Sequence, residues 1–214
     1  MSTVILYEDR DVCVCLKPPG TVSEEGGLPR ILSDELGGSF YCVHRLDKAV
    51  GGVMVYARNE RAAAALSRQT AERKMEKYYL AVVPDGLDAD EGTMEDLLFR
   101  DREKNKSFVV KRMRRGVKDA KLDYLVLERR DGLALVKIRL HTGRSHQIRC
   151  QFSSRRCPIL GDGKYGSAER REDIALWSAS LSFEHPVKGE KMEFSALPQG
   201  AFWDSFEYIR THQR

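Results

Sequence analysis

The sequence has little of what marks a membrane or secreted protein. No apolar run approaches the roughly 18 residues that a membrane-spanning helix needs. The N-terminus, MSTVILYEDRDV, has no basic start followed by an apolar core, so it does not resemble a secretory signal. These absences predict a cytoplasmic protein.

Cysteine is also scarce. The five cysteines are an odd number without repeated CxxC spacing, which argues against a disulfide framework and against a zinc ribbon. Cys13 and Cys15 alternate with aliphatic residues in a strand-like pattern, so they are predicted to be buried, reduced thiols. The cysteines therefore predict no metal site.

Internal repeats, low-complexity tracts and an obvious linker are absent as well. A chain of 214 residues is long enough to bury most of its apolar surface in one domain. We therefore expect a single domain over residues 1–214, built as one body or as two lobes.

Strand patterns dominate what is present. Residues 4–17 predict two short strands around a turn, and the segments ALWSASLSFEHP and EKMEFSA predict another pair near the C-terminus. The clearest hairpin covers residues 122–140, where Asp131 and Gly132 suit a tight turn. VMVYA and EKYYLAVVP predict further strands.

Two segments predict helices among these strands. NERAAAALSRQTAERKM offers Asn59 as the N-cap and Glu60 in the first turn. GRSHQIRCQF also looks helical, which would place Ser145 and Arg149 on one face, and PILGDGKYG after it predicts a glycine-rich loop. The predicted fold class is therefore α+β, on a largely antiparallel sheet with flanking helices.

Positive charge is concentrated in one segment. Residues 100–121 contain ten Lys or Arg against three Asp or Glu, an excess of seven that is larger than the net charge of +4 for the whole chain. A solvated charged loop is the simplest interpretation. However, Phe108, Val109, Val110 and Met113 interrupt the cations, as in a strand that lies along a polyanion, so phosphate-backbone contact is a second hypothesis.

Two short segments crowd polar side chains together. VHRLDKAVGG holds a histidine, an arginine and Asp47 within four residues, directly before a predicted buried strand, so Asp47 is either a reactive group or a turn carboxylate. TGRSHQIRCQF holds two arginines, a histidine and a glutamine within six residues. Arginine binds carboxylates and phosphates through two parallel hydrogen bonds, so one arginine could hold an active-site carboxylate while another binds nucleic acid.

Four motifs then carry a specific resemblance. HRLDKAVGGVMVYA, EKYYLAVV, TGRSHQIR and CPILGDGKYG, in that order, resemble the motifs of the RluA family of pseudouridine synthases. The resemblance runs nearly end to end and implies an enzyme that isomerises selected uridines in structured RNA. It also implies the family's catalytic fold with a central active-site cleft, in a short member without an N-terminal S4-like RNA-binding module.

The resemblance assigns chemistry to three residues. Asp47 matches the catalytic aspartate, and aspartate is anionic at neutral pH, as a nucleophile or electrostatic stabiliser requires. Arg149 matches the basic residue that pairs with this aspartate and keeps it ionised. Tyr79 matches the tyrosine that lies against the flipped base, and its hydroxyl could assist removal of the C5 proton.

Further residues are assigned to RNA. Arg45 matches the arginine that fills the gap left by the extruded nucleotide. The remaining predicted contacts bind RNA or brace the pocket and its rim: His44, Lys17, Arg144, His146, Lys111, Arg112, Arg114 and Arg115. An isomerisation has no net redox change, so the resemblance implies no cofactor and no metal. The implied partner is ribosomal RNA, transfer RNA or both, and the default oligomeric state is a monomer.

The chain departs from the family pattern at a few positions. Val50 and Gly51 stand where a Thr-Ser pair is usual, and Trp177 stands where a histidine is frequent. Cys150 and Gln151 replace a small aliphatic residue and a histidine. None of these positions is assigned to chemistry, but the first two concern the hydrogen bonding around Asp47.

Two rival hypotheses belong to other classes. A catalytically inactive RNA-binding relative is the first, and the presence of Asp47, Tyr79 and Arg149 argues against it. The second is a hydrolase or ribonuclease that uses His44 and His146 as acid and base, which would leave those three residues unexplained. The product discriminates among them, because isomerised RNA is uncut and unchanged in mass.

Overall fold

The structure is a computed structural model that describes residues 3–168 and 173–212. The chain forms two compact units. Unit 1 comprises Met1–Lys77 and Trp177–Pro198, and unit 2 comprises Tyr78–Leu176 and Gln199–Arg214. The sequence-based expectation that the whole chain is one domain stays a prediction.

Strands predominate over helices, as an α+β fold requires. The strands are β1 (Val4–Glu8), β2 (Val12–Lys17), β3 (Tyr41–Cys42), β4 (Gly51–Ala57), β5 (Glu76–Pro84), β6 (Glu91–Asp101), β7 (Lys106–Val110), β8 (Val117–Arg130), β9 (Leu133–Leu140), β10 (Leu176–Glu184) and β11 (Lys191–Ser195). The helices are α1 (Leu28–Leu36), α2 (Glu60–Ala71), α3 (Gln147–Ser154) and α4 (Glu207–His212). Among the described residues, no helix is both long and apolar enough to cross a membrane.

Unit 1 contains a sheet in the order β1-β2-β4-β10, with β3 paired to β4 and β11 paired to β10. The β1–β2 and β10–β11 pairs are antiparallel, which confirms the two predicted strand pairs. β4 is buried along its whole length, because it lies between β2 and the parallel strand β10. Its first residue, Gly51, follows the HRLD motif after three residues, so the motif is attached to the middle of this sheet.

Helix α2 covers the core of unit 1. Asn59 caps it as predicted, since its side-chain oxygen accepts a hydrogen bond from the backbone N–H of Ala62 at 2.9 Å. Ala62 and Leu66 face valines of β2 and β4 and the buried Phe183 of β10. Alanine and leucine favour the helix, and the apolar face they form holds it against the sheet.

Unit 2 contains an antiparallel sheet in the order β5-β9-β8-β6-β7. The predicted β8–β9 hairpin is confirmed, and Asp131 and Gly132 at its tip both have positive φ, of 50° and 74°. The basic segment, residues 100–121, covers the end of β6, the turn after it, β7, the next loop and the start of β8, rather than one free loop. β7 pairs with β6 alone in this order, so it lies at the end of the sheet.

Two sequence-based details of unit 2 need correction. Helix α3 begins at Gln147, because His146 has a left-handed backbone with φ 52° and ψ 27°, so Ser145 does not share a helical face with Arg149. Helix α4 was not predicted. Its Tyr208 N–H donates to the Glu128 carboxylate of β8 at 3.0 Å, and Ile209 is fully buried.

Candidate active site

Asp47 lies on a short loop that leads into β4. The backbone oxygen of Asp47 accepts a hydrogen bond from the N–H of Val50 at 2.9 Å, which closes a turn. Its side chain is half-buried, whereas the flanking Leu46 and Val50 are buried. The main chain of Asp47 thus makes the turn, and the buried Leu46 and Val50 hold the loop on both sides.

Lys17 holds this loop from inside unit 1. Its side chain has no exposed surface, and its ammonium donates to the backbone oxygens of Thr21 at 2.8 Å, Pro18 at 3.0 Å and Lys48 at 3.2 Å. The N–H of Gly20 donates to the same Lys48 oxygen at 2.8 Å. The carbonyl next to Asp47 therefore receives two hydrogen bonds from the segment that ends β2.

Burial lowers the pKa of Lys17 to about 8, although the negative charge of Asp47 acts in the opposite direction. Lys17 was predicted to be an RNA contact at the rim of the site. A side chain with no exposed surface and three protein acceptors cannot reach a ligand outside unit 1, so the structure favours a bracing role.

His44 is likewise enclosed. It is 7% exposed, and its Nε2 atom accepts a hydrogen bond from the N–H of Val55 on β4 at 3.2 Å. Burial lowers the pKa of His44 well below its usual value, with a smaller contribution from the charge of Lys77. A neutral, buried histidine argues against direct RNA contact and against the acid–base role of the ribonuclease hypothesis.

Arg45 differs from its neighbour in the motif. It is exposed, and its guanidinium pairs with the equally exposed carboxylate of Glu24 at 2.9 Å. An exposed ion pair contributes little to stability, so a phosphate or base could replace Glu24 at small cost. This position is compatible with the predicted contact between Arg45 and RNA.

In unit 2, Arg149 points from α3 to Asp162 of the glycine-rich loop. Its Nε and Nη2 atoms donate to the two carboxylate oxygens at 2.6 and 2.9 Å, and both side chains are buried. This bidentate pair orients the guanidinium. The sequence alone gave Asp162 no role, although a carboxylate between two glycines of the CPILGDGKYG motif was a signal for one.

Tyr165, in the same loop, is a second residue that sequence reasoning missed. The guanidinium carbon of Arg149 lies 5.1 Å from the centre of its ring, and the ammonium of Lys106 lies 4.8 Å from that centre. The Tyr165 hydroxyl accepts the N–H of Ser107 at 2.7 Å and lies 3.0 Å from Nδ1 of His146. Tyr165 thus connects α3 with the first residues of β7.

Arg144 closes the loop before α3. Its guanidinium donates to the backbone oxygen and the carboxylate of Asp119 at 2.7 and 3.1 Å, and its own N–H donates to Gln147 at 3.0 Å. The Gln147 side chain also bonds Thr142 and the backbone oxygen of Lys121. This network attaches the start of α3 to β8.

Tyr79 lies on β5 and is buried, in register with Ile138 of β9. Asp47 belongs to unit 1, whereas Arg149 and Tyr79 belong to unit 2. The pairing of Asp47 with Arg149, and the assignment of all three residues to chemistry, stay predictions.

The predicted basic contacts lie in the loop between β7 and β8. All four of their side chains are exposed: Lys111, Arg112, Arg114 and Arg115. Met113 between them is 62% exposed, and the guanidinium of Arg114 lies 4.9 Å from the centre of the Phe99 ring. The loop therefore presents cations and one large apolar side chain to solvent.

Asp9, Asp11 and His185 form a group of potential metal ligands among the described residues, with one ligand atom of each within 4.8 Å of the others. Their atoms are already used in hydrogen bonds. Nδ1 of His185 accepts the N–H of Lys188 at 3.0 Å, so Nε2 carries the proton and donates to Asp9 at 3.0 Å. The Lys188 ammonium bonds the same carboxylate oxygen at 3.1 Å. This group is a structural link between two turns of unit 1.

Comparison with known proteins agrees with the motifs. A sequence profile of the family described as RNA pseudouridylate synthase matches residues 11–154. An uncharacterized RNA pseudouridine synthase of Aquifex aeolicus (strain VF5) is 36% identical, over 97% of this chain and 73% of the relative. The dual-specificity RNA pseudouridine synthase RluA of Yersinia pestis is 35% identical, over 89% of this chain and 97% of the relative.

A solved structure, Human RNA Pseudouridylate Synthase Domain Containing 1, superposes with a TM-score of 0.78 at 26% identity and covers 92% of this chain and 83% of that one. The predicted α+β fold of this enzyme class is therefore confirmed, and so is the sequence resemblance. The chain belongs to the RNA pseudouridylate synthase family, as an isomerase related to RluA.

Proposed function

We propose that this enzyme isomerises selected uridines of ribosomal or transfer RNA and that Asp47 is its catalytic carboxylate. The observation that carries this assignment is the construction of the Asp47 loop. The half-buried Asp47 lies in a turn whose neighbouring carbonyl is held by the fully buried Lys17. A reactive group on a rigid support is positioned for chemistry at little cost in entropy when substrate binds.

The reaction exchanges one bond for another. The bond between N1 of the base and C1′ of the ribose breaks, the base turns, and a bond forms between C5 and C1′. C5 loses its hydrogen to solvent as a proton, and N1 takes up a proton from solvent. Atoms and electrons balance without an oxidant or reductant. Asp47 engages the nucleotide after glycosidic cleavage begins, as a nucleophile or as an electrostatic stabiliser.

The other residues support this role. Arg149, oriented by Asp162, pairs with Asp47 and keeps it ionised, and Tyr79 lies against the flipped base. Arg45 leaves its exposed partner Glu24 and fills the gap that the extruded nucleotide leaves in the RNA. The exposed loop after β7 contacts phosphates and positions the RNA without reading its sequence.

The test uses RNA labelled with tritium at C5 of uridine, because each turnover releases that hydrogen. Asp47→Asn preserves size and removes the charge, so we expect no tritium release above background while the fold and most of the RNA affinity remain. Asp34→Asn is the matched control, since Asp34 is exposed on α1, and it should release tritium at the rate of the unaltered enzyme.

Gel analysis of the same reactions identifies the class of product. Full-length RNA is expected for both variants and for the unaltered enzyme, and shortened RNA would indicate a nuclease instead. Normal turnover by Asp47→Asn would overturn the assignment of Asp47. Pseudouridine mapping of ribosomal and transfer RNA from a deletion strain then identifies the target uridine.

A further inference from the structure

The side chain of Trp177 occupies the space in front of Gly51. A Cβ atom built on Gly51 would lie 2.4 Å from Cζ3 and 2.8 Å from Cε3 of the indole, and 2.9 Å from Cδ of Pro19. Gly51 does not have a positive φ, unlike Gly52 with φ +120°, so backbone conformation does not require glycine there. The requirement is space: no side chain fits at position 51 while the indole keeps its place.

This contact lies directly beside the Asp47 loop. Gly51 is the first residue of β4, immediately after the turn that runs from Asp47 to Val50. Pro19 lies between Lys17 and Gly20, each of which donates one hydrogen bond to the Lys48 carbonyl. The indole therefore packs against Gly51, the residue that follows the Asp47 turn, and Pro19 also lies close to Gly51.

The indole is itself fixed from the other side. Its Nε1 atom donates to the backbone oxygen of Ala196 at 2.8 Å, just beyond β11. Trp177 also lies opposite Gly51 in the parallel β4–β10 register. The indole ring is rigid and its polar atom is hydrogen-bonded, so it can fix the position of the Asp47 loop relative to the β10–β11 pair.

We propose that Trp177 is a positioning residue for Asp47, acting through Gly51, and that Trp177 and Gly51 form one interdependent pair. Both positions depart from the family pattern described above, and the two residues lie against each other. The proposal rests on the catalytic role of Asp47. It adds that indole packing holds the loop, so a side chain at position 51 displaces Asp47 unless Trp177 is replaced as well.

The test is a double-mutant cycle with Gly51→Ser, Trp177→His and both together. The readouts are the rate of tritium release in a single turnover at saturating RNA, the RNA dissociation constant and the melting temperature. A displaced reactive group can cost about ten- to hundredfold in rate, so we expect Gly51→Ser to fall in that range with little change in RNA affinity. The double variant should recover most of this loss, because contacting residues are not additive.

Trp177→Phe and Trp203→Phe form a matched control pair, since Trp203 is buried in unit 2, whereas the Asp47 loop belongs to unit 1. Only Trp177→Phe should lower the single-turnover rate at a temperature where both are folded. Should Gly51→Ser alone not fold, Trp177→Ala combined with Gly51→Ser should fold and regain activity.

Three results would overturn the proposal: multiplicative effects of the two single variants, equal rates for the two Phe variants, or a Gly51→Ser defect that no change at Trp177 relieves. If Asp47→Asn remains inactive in these cases, the proposed function stands without the positioning role. If Asp47→Asn is active, the role of Asp47 is wrong, and the positioning role is overturned with it.

Discussion

Arg149 is predicted to serve both stability and chemistry. Arg149→Met would leave the Asp162 carboxylate buried without its cation, so we expect the free energy of unfolding to fall by about 3–5 kcal/mol and activity to be lost. In the double variant Arg149→Met/Asp162→Leu, neither charge of this buried ion pair remains. Urea denaturation should then recover most of the stability, while tritium release stays absent.

Arg144→Met is the control for this experiment, because its partner Asp119 is largely exposed. An exposed pair contributes at most about 1 kcal/mol, so this variant should be only mildly destabilised. Small and equal effects of the two methionine variants would mean that Arg149 is not the arginine that supports the catalytic carboxylate.

Lys17 predicts a pH dependence with opposite signs for rate and stability. Above its pKa of about 8 the amine retains two N–H groups for three carbonyl acceptors, so the Asp47 loop loses a hydrogen bond and the single-turnover rate should decline. The folded-state pKa lies below the ordinary 10.5, so the unfolded chain binds more protons between about 8 and 10.5. The contribution of Lys17 to stability therefore rises over the same range.

The measurement is the pH profile of tritium release for the unaltered enzyme, Lys17→Gln and Lys77→Gln. Burial lowers the pKa of Lys77 to about 8 as well, which makes it the necessary control. The alkaline decline should disappear in Lys17→Gln and persist in Lys77→Gln. A decline that persists in Lys17→Gln would assign it to another group.

At the scale of elements, the loop between β7 and β8 predicts how RNA binding responds to salt. Each lost phosphate contact should flatten the plot of log affinity against log salt by roughly 0.7 to 0.9. Replacement of Lys111, Arg112, Arg114 and Arg115 by glutamine should therefore weaken binding and reduce this slope. Turnover at saturating RNA should fall less than affinity, because phosphate contacts position the RNA without taking part in chemistry.

Binding isotherms at several salt concentrations distinguish phosphate contact by this loop from a solvated surface. The matched control replaces Arg129 and Arg130, which lie beside the β8–β9 turn, with glutamine. Parallel lines for the loop variant and the unaltered enzyme would mean that the loop is a solvated surface, even if the enzyme assignment holds.

At the scale of the whole molecule, we expect a contact between residues far apart in sequence to control the stability of the fold in acid. Asp9 and His185 bond to each other although 176 positions separate them, and they join the β1–β2 turn to the β10–β11 turn. Burial disfavours the charged form of Asp9, but hydrogen bonds from the N–H groups of Asp11 and Val12, from Lys188 and from Tyr7 outweigh it and lower its pKa.

Because the pKa of Asp9 is lowered, its ionised carboxylate stabilises the fold at pH values above 3.8, the ordinary pKa of aspartate. This contribution is lost as the pH falls below 3.8. Asp9→Asn should reduce the free energy of unfolding at neutral pH by about 1–3 kcal/mol and make acid unfolding less steep. Asp88→Asn, at an exposed position, should change neither. Identical acid profiles for the two variants would contradict a role for Asp9.

The sequence by itself determined much of the local structure and the identity of the enzyme. Apolar and β-type runs predicted β4, β5 and the β8–β9 hairpin, and Asn59 predicted the start of α2, because strand patterns, turns and caps depend on nearby residues. The HRLD, KYYLAV and GRSHQIR motifs pointed to the RNA pseudouridylate synthase family, since they name residue types at fixed spacing.

Only the tertiary structure decided which of the polar residues are enclosed. It buried Lys17 and His44, gave Arg149 a partner in Asp162, and placed the Trp177 ring in front of Gly51. Exposure and hydrogen bonding depend on side chains brought together from distant parts of the chain. A motif fixes which groups are present, whereas packing fixes which of them remain free to meet RNA.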